Sequence, residues 1–429
     1  MNAPALLRKG WCPGALRPMP TGDGLLLRIR APGGRLSLDR AQAIGDCAAQ
    51  FGNGAIEISS RANLQLRGIR EAGLPSLQRL LDELGLLDAD IALEGVRNIV
   101  ASPLADIDPG AILDTGPIVA ALEARLGADA RLHGLPAKFG FLIDGGGALP
   151  LGEVEADIRF EAYLGDEAEP RFALTLAEDR NLASVCAPQD VSSMAAALVS
   201  AFLRCAGTGH NPPRRMRGLI ERHGAAAIFG AAGIEPSAPP TSVRRRAAHQ
   251  DFLGIRKFGA SFCVGAAPPL GRMTADDLCS LVEEARRALA LDIRLTPWRA
   301  LLVTGLAEGG AENLAAALAR LGFIVDPGDP RLAVVACSGA PACANAARAV
   351  QAEALEFAAL IPSGAGIVLH VSGCEKGCAH GQAAAFTLVS RPAGYDLVRN
   401  GKASDEPLRR GLTKDEIGPL LAQFAEESS

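Results

Sequence analysis

The sequence contains one long internal repeat. A gapless shift of 237 positions lays residues 24–69 on residues 261–306. Pro32, Gly34, Arg35, Asp39, Ala48, Ile56, Leu64 and Gly68 fall on Pro269, Gly271, Arg272, Asp276, Ala285, Ile293, Leu301 and Gly305. Leu36 with Met273, Ser37 with Thr274 and Ile44 with Leu281 are conservative pairs between them. Solenoid units run to about 20–50 residues and recur several times, so a single match of this kind marks a duplicated half-protein.

Each copy carries the same local signals. An apolar run (Leu25, Leu26, Leu27, Ile29) reaches a Pro/Gly turn, and Ser37 opens a stretch where Ala41, Ile44, Ala48 and Phe51 recur at helical spacing. After Gly52 and Gly54, Ile56 and Ile58 alternate as in a strand. One strand–helix–strand copy leaves a sheet face uncovered, which predicts that the two copies pair about a pseudo-two-fold axis. A longer α/β segment follows each copy, and the strand-like runs at 98–100 and 141–143 find counterparts at 332–335 and 367–371. The expected class is α+β, with half-domains at 1–88 and 248–325 and α/β domains at 89–235 and 326–429. The Pro- and Arg-rich stretch 212–247 reads as the connector. Tyr395 to Val398 followed by Asn400-Gly401 predicts a strand and a turn, and Thr413 to Glu416 a capping box opening a last helix.

Composition narrows the function classes. A net charge of −5 gives no field for nucleic acid, and the basic runs at 214–217 and 244–246 read as solvated surface. No apolar run reaches membrane length, and the first twenty residues lack the apolar core of an export signal, so a cytoplasmic address is expected. Ten cysteines in that compartment should stay reduced, which turns close cysteine pairs toward metal or redox chemistry.

Four of them form a pattern. Cys337 and Cys343 make C-x5-C, Cys374 and Cys378 make C-x3-C, and each pair starts just after a predicted strand, flanked by Ser338, Gly339, Ala340, Gly373 and Gly377. Loops at strand ends can aim several ligands at one point, and small neighbours let backbone N–H groups reach cluster sulfides. A four-iron four-sulfur cluster is the expected occupant. The alternatives are structural zinc, whose pairs usually have two to four intervening residues, a disulfide, or four buried thiols. Cys12, Cys47, Cys186, Cys205, Cys263 and Cys279 stand alone and read as core residues.

These cysteines, together with the run Ser59-Ser60-Arg61-Ala62-Asn63-Leu64-Gln65-Leu66-Arg67-Gly68, the pair Arg97-Asn98 and Leu135-Pro136-Ala137-Lys138-Phe139, resemble the sirohaem-dependent sulfite and nitrite reductases over nearly the whole chain. The resemblance implies that family's duplicated fold. It implies a cluster on the four cysteines, with Cys378 bridging to sirohaem iron where sirohaem is bound, and Arg61, Arg97 and Lys138 at the anion and tetrapyrrole site. The reductases carry a second basic residue two positions after the lysine, where this chain has Gly140. Lys138 to Phe141, the tract Asp144-Gly145-Gly146-Gly147, Gly271 to Thr274 and Leu295 to Arg299 are similar instead to the precorrin-3B synthases, an oxygenase branch of cobalamin biosynthesis.

That branch implies a tetrapyrrole substrate, precorrin-3A, hydroxylated at C20 with O2 and closed to a γ-lactone. It also implies sirohaem or a mononuclear non-haem iron beside the cluster, with His380 the nearest histidine candidate. No G-x-G-x-x-G follows a strand, so NADH is expected to act through a separate reductase or ferredoxin. The competing expectations are a sirohaem nitrite or sulfite reductase and a non-catalytic zinc or redox-sensing protein.

Overall fold

In a computed structural model, which describes residues 12–207, 212–241, 243, 252–361 and 368–427, the chain contains four consecutive blocks, a half-domain and an α/β unit in each half. The half-domain strands are β1 (Met19–Thr21), β2 (Gly24–Ile29), β3 (Arg35–Ser37), β4 (Ala55–Ile58) and β5 (Leu64–Ile69). Helix α1 (Leu38–Phe51) lies between β3 and β4, and α2 (Leu74–Glu83) and α3 (Ile91–Val96) follow β5. The α/β unit has β6 (Ile99–Ala101), α4 (Gly116–Ala128), β7 (Phe141–Asp144), β8 (Ile158–Leu164), β9 (Pro170–Leu176), β10 (Ser184–Cys186) and α5 (Val191–Ala206). Two short helices close it, α6 (Met216–His223) and α7 (Ala225–Ala231).

The second half repeats this order. Its half-domain has β11 (Gly254–Phe258), β12 (Ser261–Ala266), β13 (Arg272–Thr274), α8 (Ala275–Arg287), β14 (Asp292–Leu295), β15 (Leu301–Leu306) and α9 (Glu308–Arg320). Its α/β unit has β16 (Val334–Ala336), α10 (Val350–Ala358), β17 (Leu369–Ser372), β18 (Ala384–Arg391), β19 (Gly394–Gly401), β20 (Arg409–Leu412) and α11 (Lys414–Glu427). Under the same shift, β2 to β5 fall residue for residue on β12 to β15. Even the bulge between Leu25 and Leu27 recurs between Phe262 and Val264. Left-handed residues coincide too: Ala62 (φ 53) with Arg299 (φ 59), and Gly68 (φ 65) with Gly305 (φ 76).

The pseudo-two-fold pairing is closer than side-by-side packing. The half-domain sheets run β1-β2-β5-β4-β13 and β11-β12-β15-β14-β3, so each copy gives its third strand to the other. Leu36 pairs with Ile293 and Met273 with Ile56, all antiparallel. The helices then start where the exchanged strands end: Ser37 Oγ accepts from Arg40 N–H, and Thr274 with Asp277 forms a complete capping box. One core results, with Leu27, Ile44 and Leu36 of one copy packed among Val264, Leu281 and Ile293 of the other.

Helices α1 and α8 meet at Gly45, where an added Cβ would lie 2.6 Å from Cys279 Sγ. Gly45→Val should therefore destabilise the fold by roughly 1–3 kcal/mol. Cys279→Ala should return part of that loss in a double-mutant cycle read by denaturant midpoints. Equal costs in both backgrounds would remove this contact as the cause.

The two α/β sheets share one topology, three parallel strands (β6-β7-β8 and β16-β17-β18) continued by two antiparallel ones. Strand β7 is buried at all four positions, because Phe141 and Ile143 enter one core and Leu142 another. Two expectations change. The connector is partly helical: Met216, Leu219, Ile228 and Phe229 of α6 and α7 are buried against α5, which the flanking Pro and Arg residues disguised. Asn400-Gly401 is no turn, since β19 continues through Asn400 (φ 50) to pair Gly401 with Ala384. At α11 half of the expected capping box forms: Glu416 accepts from Thr413 N–H and Oγ, while its own N–H donates to the Thr413 carbonyl and not to the side chain.

Candidate functional site

The parallel strands point two loops at one place. Cys337 follows β16 directly, and Cys374 comes two residues after β17. The Gly373 N–H donates to Cys337 Sγ at 3.1 Å, and the Asn345 amide lies 4.0 Å from Cys343 Sγ. Gly373 has no room for a side chain, since a Cβ would lie 2.6 Å from Ala346 Cβ and 3.2 Å from Cys337 Sγ. Burial pushes the Cys337 and Cys378 thiols up, and the neighbouring cysteines push them further. Among the described residues no three His, Cys, Asp or Glu side chains close on a single-ion site. An iron–sulfur cube is larger than one ion and holds its thiolates further apart. Its charge would favour the thiolates that burial now disfavours. The donor set and the aimed N–H group fit such a cluster.

The first half shows what these loops look like without cysteine. Ser102 stands after β6 where Cys337 stands after β16, and the Gly145 N–H donates to Ser102 Oγ at 2.8 Å as Gly373 does to Cys337. Asp144, a buried carboxyl raised by that burial, accepts from Ser102 Oγ and the backbone N–H groups of Gly146 and Leu151. The glycine tract is thus the counterpart of the second cysteine loop.

Each half-domain grips the α/β loop of the opposite half. Arg67 on β5, 3% exposed, binds Asp23 at 3.0 Å and Glu57 at 3.5 Å. Its other bonds run to Ser338 Oγ (3.3 Å) and the Ala342 carbonyl (3.0 Å), inside the first cysteine loop. From the second copy, Arg294 on β14, at the position equivalent to Glu57, binds Asp106 and the Pro103 carbonyl beyond β6. Sequence reasoning missed Arg67, although an arginine two positions from Gln65 on a buried strand was its signal.

A cavity of about 230 Å3 borders Cys337 and Cys378, the most exposed of the four thiols. Glu57, Ser59, Ser60, Gln65, Arg272 and Arg299 line it. A larger cavity, about 1000 Å3, shares Arg272 and Gln351 with it but touches none of the four cysteines. The smaller one is the candidate site because two of the four cysteines, Cys337 and Cys378, line it.

Next to Gln65 lies a group of arginines. Arg28 donates to Gln65 Oε1 at 2.6 and 3.2 Å, and burial with the charges of Arg30 and Arg61 lowers it to about 10. Arg30, 5% exposed, has Nη1 without a hydrogen-bond partner, 4.0 Å from Glu94. Arg61 leaves a turn in which Ser59 Oγ accepts from the N–H groups of Arg61 and Asn63, and its Nη2 donates to the Lys138 carbonyl at 3.0 Å. Burial and Arg215 lower Arg61 as well. Such under-neutralised cations call for an anionic ligand. Cys12 approaches Arg28 here, away from any apolar core.

The expected basic residues divide. Arg61 and the exposed Lys138 come together. Arg97 is instead held by Asp88 (2.7 Å) and Glu123 (2.9 Å) and donates to the Arg30 carbonyl, so its charge is balanced within the chain. Asn98 does the positioning: its amide donates to Ala137 and Phe139 carbonyls and accepts from Arg30 Nε. Gly140 is buried, its N–H on Asp157, which also binds Arg215 at 2.9 Å. Arg215 is thereby structural, and the run at 244–246 lies outside the described residues. His380 stands 5.9 Å, centroid to centroid, from His370, whose ring nitrogens are buried without partners.

The nitrite/sulfite reductase ferredoxin-like half domain matches residues 17–84 and 256–321. The nitrite and sulphite reductase 4Fe-4S domain matches residues 92–238, which leaves the four cysteines in the topologically equivalent second unit. A precorrin-3B synthase from Sinorhizobium sp is 34% identical over 94% of this chain and 85% of its own. A ferredoxin–nitrite reductase from Synechococcus elongatus is 25% identical over 95% of this chain and 86% of its own. Among solved structures, the NirA protein of Mycobacterium tuberculosis superposes with a TM-score of 0.76 at 22% identity, covering 94% of this chain and 80% of that one. No helix among the described residues is long and apolar enough to cross a membrane.

Proposed function

This chain is a member of the nitrite and sulfite reductase family, in its precorrin-3B synthase branch, and from that premise we propose that it hydroxylates precorrin-3A at C20 with O2. One oxygen atom enters the macrocycle and the other leaves as water, for two electrons and two protons. An acetate arm of ring A then closes to the γ-lactone. Cys337, Cys343, Cys374 and Cys378 hold the four-iron cluster, which when bound supplies single electrons. The second iron is sirohaem or a mononuclear centre, and a separate reductase or ferredoxin relays electrons from NADH.

The protein's own groups bind and orient. Arg28, Arg30 and Arg61 accept the substrate's carboxylates, Arg bidentately, with Lys138 at the rim. Arg97 and Asn98 act indirectly, fixing the Arg30 backbone and the 137–139 loop.

Gly140 carries this reading over the reductase alternative. Reduction of a small oxyanion relies on a ring of cations for charge and protons, and this chain has a glycine where the family's second cation stands. The native enzyme with precorrin-3A and reductant should incorporate one atom of 18O2 and show negligible nitrite or sulfite turnover with an artificial donor. At position 140 a first side-chain carbon would meet only the Asn98 carbonyl, at 3.5 Å. Gly140→Lys should lose oxygenation, with iron content and melting temperature recording that the fold is kept. Unlabelled product or brisk nitrite turnover by the native enzyme would restore the reductase reading.

A further inference from the structure

The small cavity beside Cys378 holds two arginines in unlike states. Arg272 is occupied, donating to Gln351 Oε1 at 2.8 Å with Glu57 at 3.9 Å. The only hydrogen bond of Arg299 among the described residues runs to the Ala379 carbonyl at 3.2 Å, next to Cys378. No carboxylate among the described residues lies within ion-pair distance of it. Glu57 answers Arg299 only at longer range, being bonded to Gln65, Arg67 and Ser338. Burial lowers the Arg299 guanidinium from its usual value.

The repeat shows that this side chain is a departure of the second copy. Its left-handed backbone (φ 59) is inherited, since Ala62 adopts the same conformation (φ 53) in the first. The fold therefore asks only for the turn, and alanine suffices for it. Space has been cleared for the arginine: a Cβ on Gly271 would lie 2.9 Å from Arg299 Cβ and 3.0 Å from Cδ. The equivalent Gly34 faces no side chain, only the Leu295 carbonyl at 3.4 Å. Arg299 is half-buried, and a guanidinium drawn out of water without a counter-charge costs stability unless a ligand completes it.

We propose that Arg299 is a substrate-binding residue which takes one carboxylate arm of the tetrapyrrole in the cavity beside Cys378. Ligand pockets for whole drug-sized molecules run to about 300–1000 Å3, and this cavity of about 230 Å3 is smaller. It therefore suits an acid side arm, with the ring lying over the Arg28, Arg30 and Arg61 side. Two anchors on opposite sides would fix which edge of the macrocycle meets the reacting oxygen.

The inference rests on the tetrapyrrole reading of the site, so the test separates the two. Precorrin-3A binding to the cluster-loaded protein would be measured anaerobically, without reductant, by quenching of Trp298 in a Trp11→Phe background. Arg299→Gln should raise Kd roughly 10- to 100-fold, the range for a hydrogen-bonded charge, with iron and sulfide content unchanged. Arg299→Lys, which keeps the charge but not the fork, should fall between. Native protein that binds no precorrin-3A overturns the tetrapyrrole reading and this proposal with it. Native protein that binds, with Arg299→Gln binding equally well, overturns the proposal alone. Loss of the cluster in both variants would assign Arg299 a structural role and equally overturn it.

Discussion

Serine at any one of Cys337, Cys343, Cys374 or Cys378 will strip the protein of its iron–sulfur absorbance and of its turnover. An alcohol is a poor ligand for soft iron–sulfide chemistry, and three thiolates leave one iron open to loss. Cys47→Ser and Cys263→Ser are the controls. Both thiols are buried, and burial pushes them up to about 11 and about 12, so they stay neutral core groups. Their serine variants should lose roughly 1–3 kcal/mol of stability for a buried hydroxyl and keep full iron and sulfide. If one of the four variants retained four irons and activity, that cysteine would leave the ligand set.

The second large effect is expected at Arg67. Arg67→Met removes a fork that neutralises Asp23 and Glu57, 9% and 13% exposed, and ties the half-domain to Ser338 and Ala342. Stranding two largely buried carboxylates costs roughly 3–5 kcal/mol, and the cysteine loop loses two of its anchors. Cluster content should fall with stability, and Arg67→Lys should recover only part of either. Acid provides a further check. Burial alone would raise Asp23, but Arg67 outweighs it and holds the carboxyl below its ordinary value. A depressed carboxyl contributes stability at neutral pH that is lost as pH falls through its folded value. The gap between native and Arg67→Met stability should accordingly narrow in acid. A gap that is small at pH 7, or constant with pH, would show that Arg67 does not hold the loop.

The repeat made most of the half-domain legible, because duplicated strands and helices leave duplicated patterns. The strand exchange left none: Arg35–Ser37 is three residues long, and nothing in its alternation says which sheet it joins. In the site, the cysteines were readable because metal ligands come in spaced pairs on short loops. The arginines were harder, since a motif gives residue types without their partners. Arg97 looked like a ligand group until Asp88 and Glu123 were seen to hold it. Arg28 and Arg30 had a signal in plain view, two cations within an otherwise apolar strand run. Arg299 had one only in comparison with Ala62, its silent twin.

The exchanged strands also bear on how the polypeptide is made. During synthesis, the β4 edge must wait for Arg272–Thr274 and β3 for Asp292–Leu295. Neither half-domain sheet can be completed until the ribosome has passed the middle of the message, and β3 and β4 leave unpaired edges until then. Contacts of such long sequence separation fold slowly, and open edges invite mispairing. The nascent first half is therefore the state in which chaperone attendance, and protection from a second nascent copy offering the same strand, matter most.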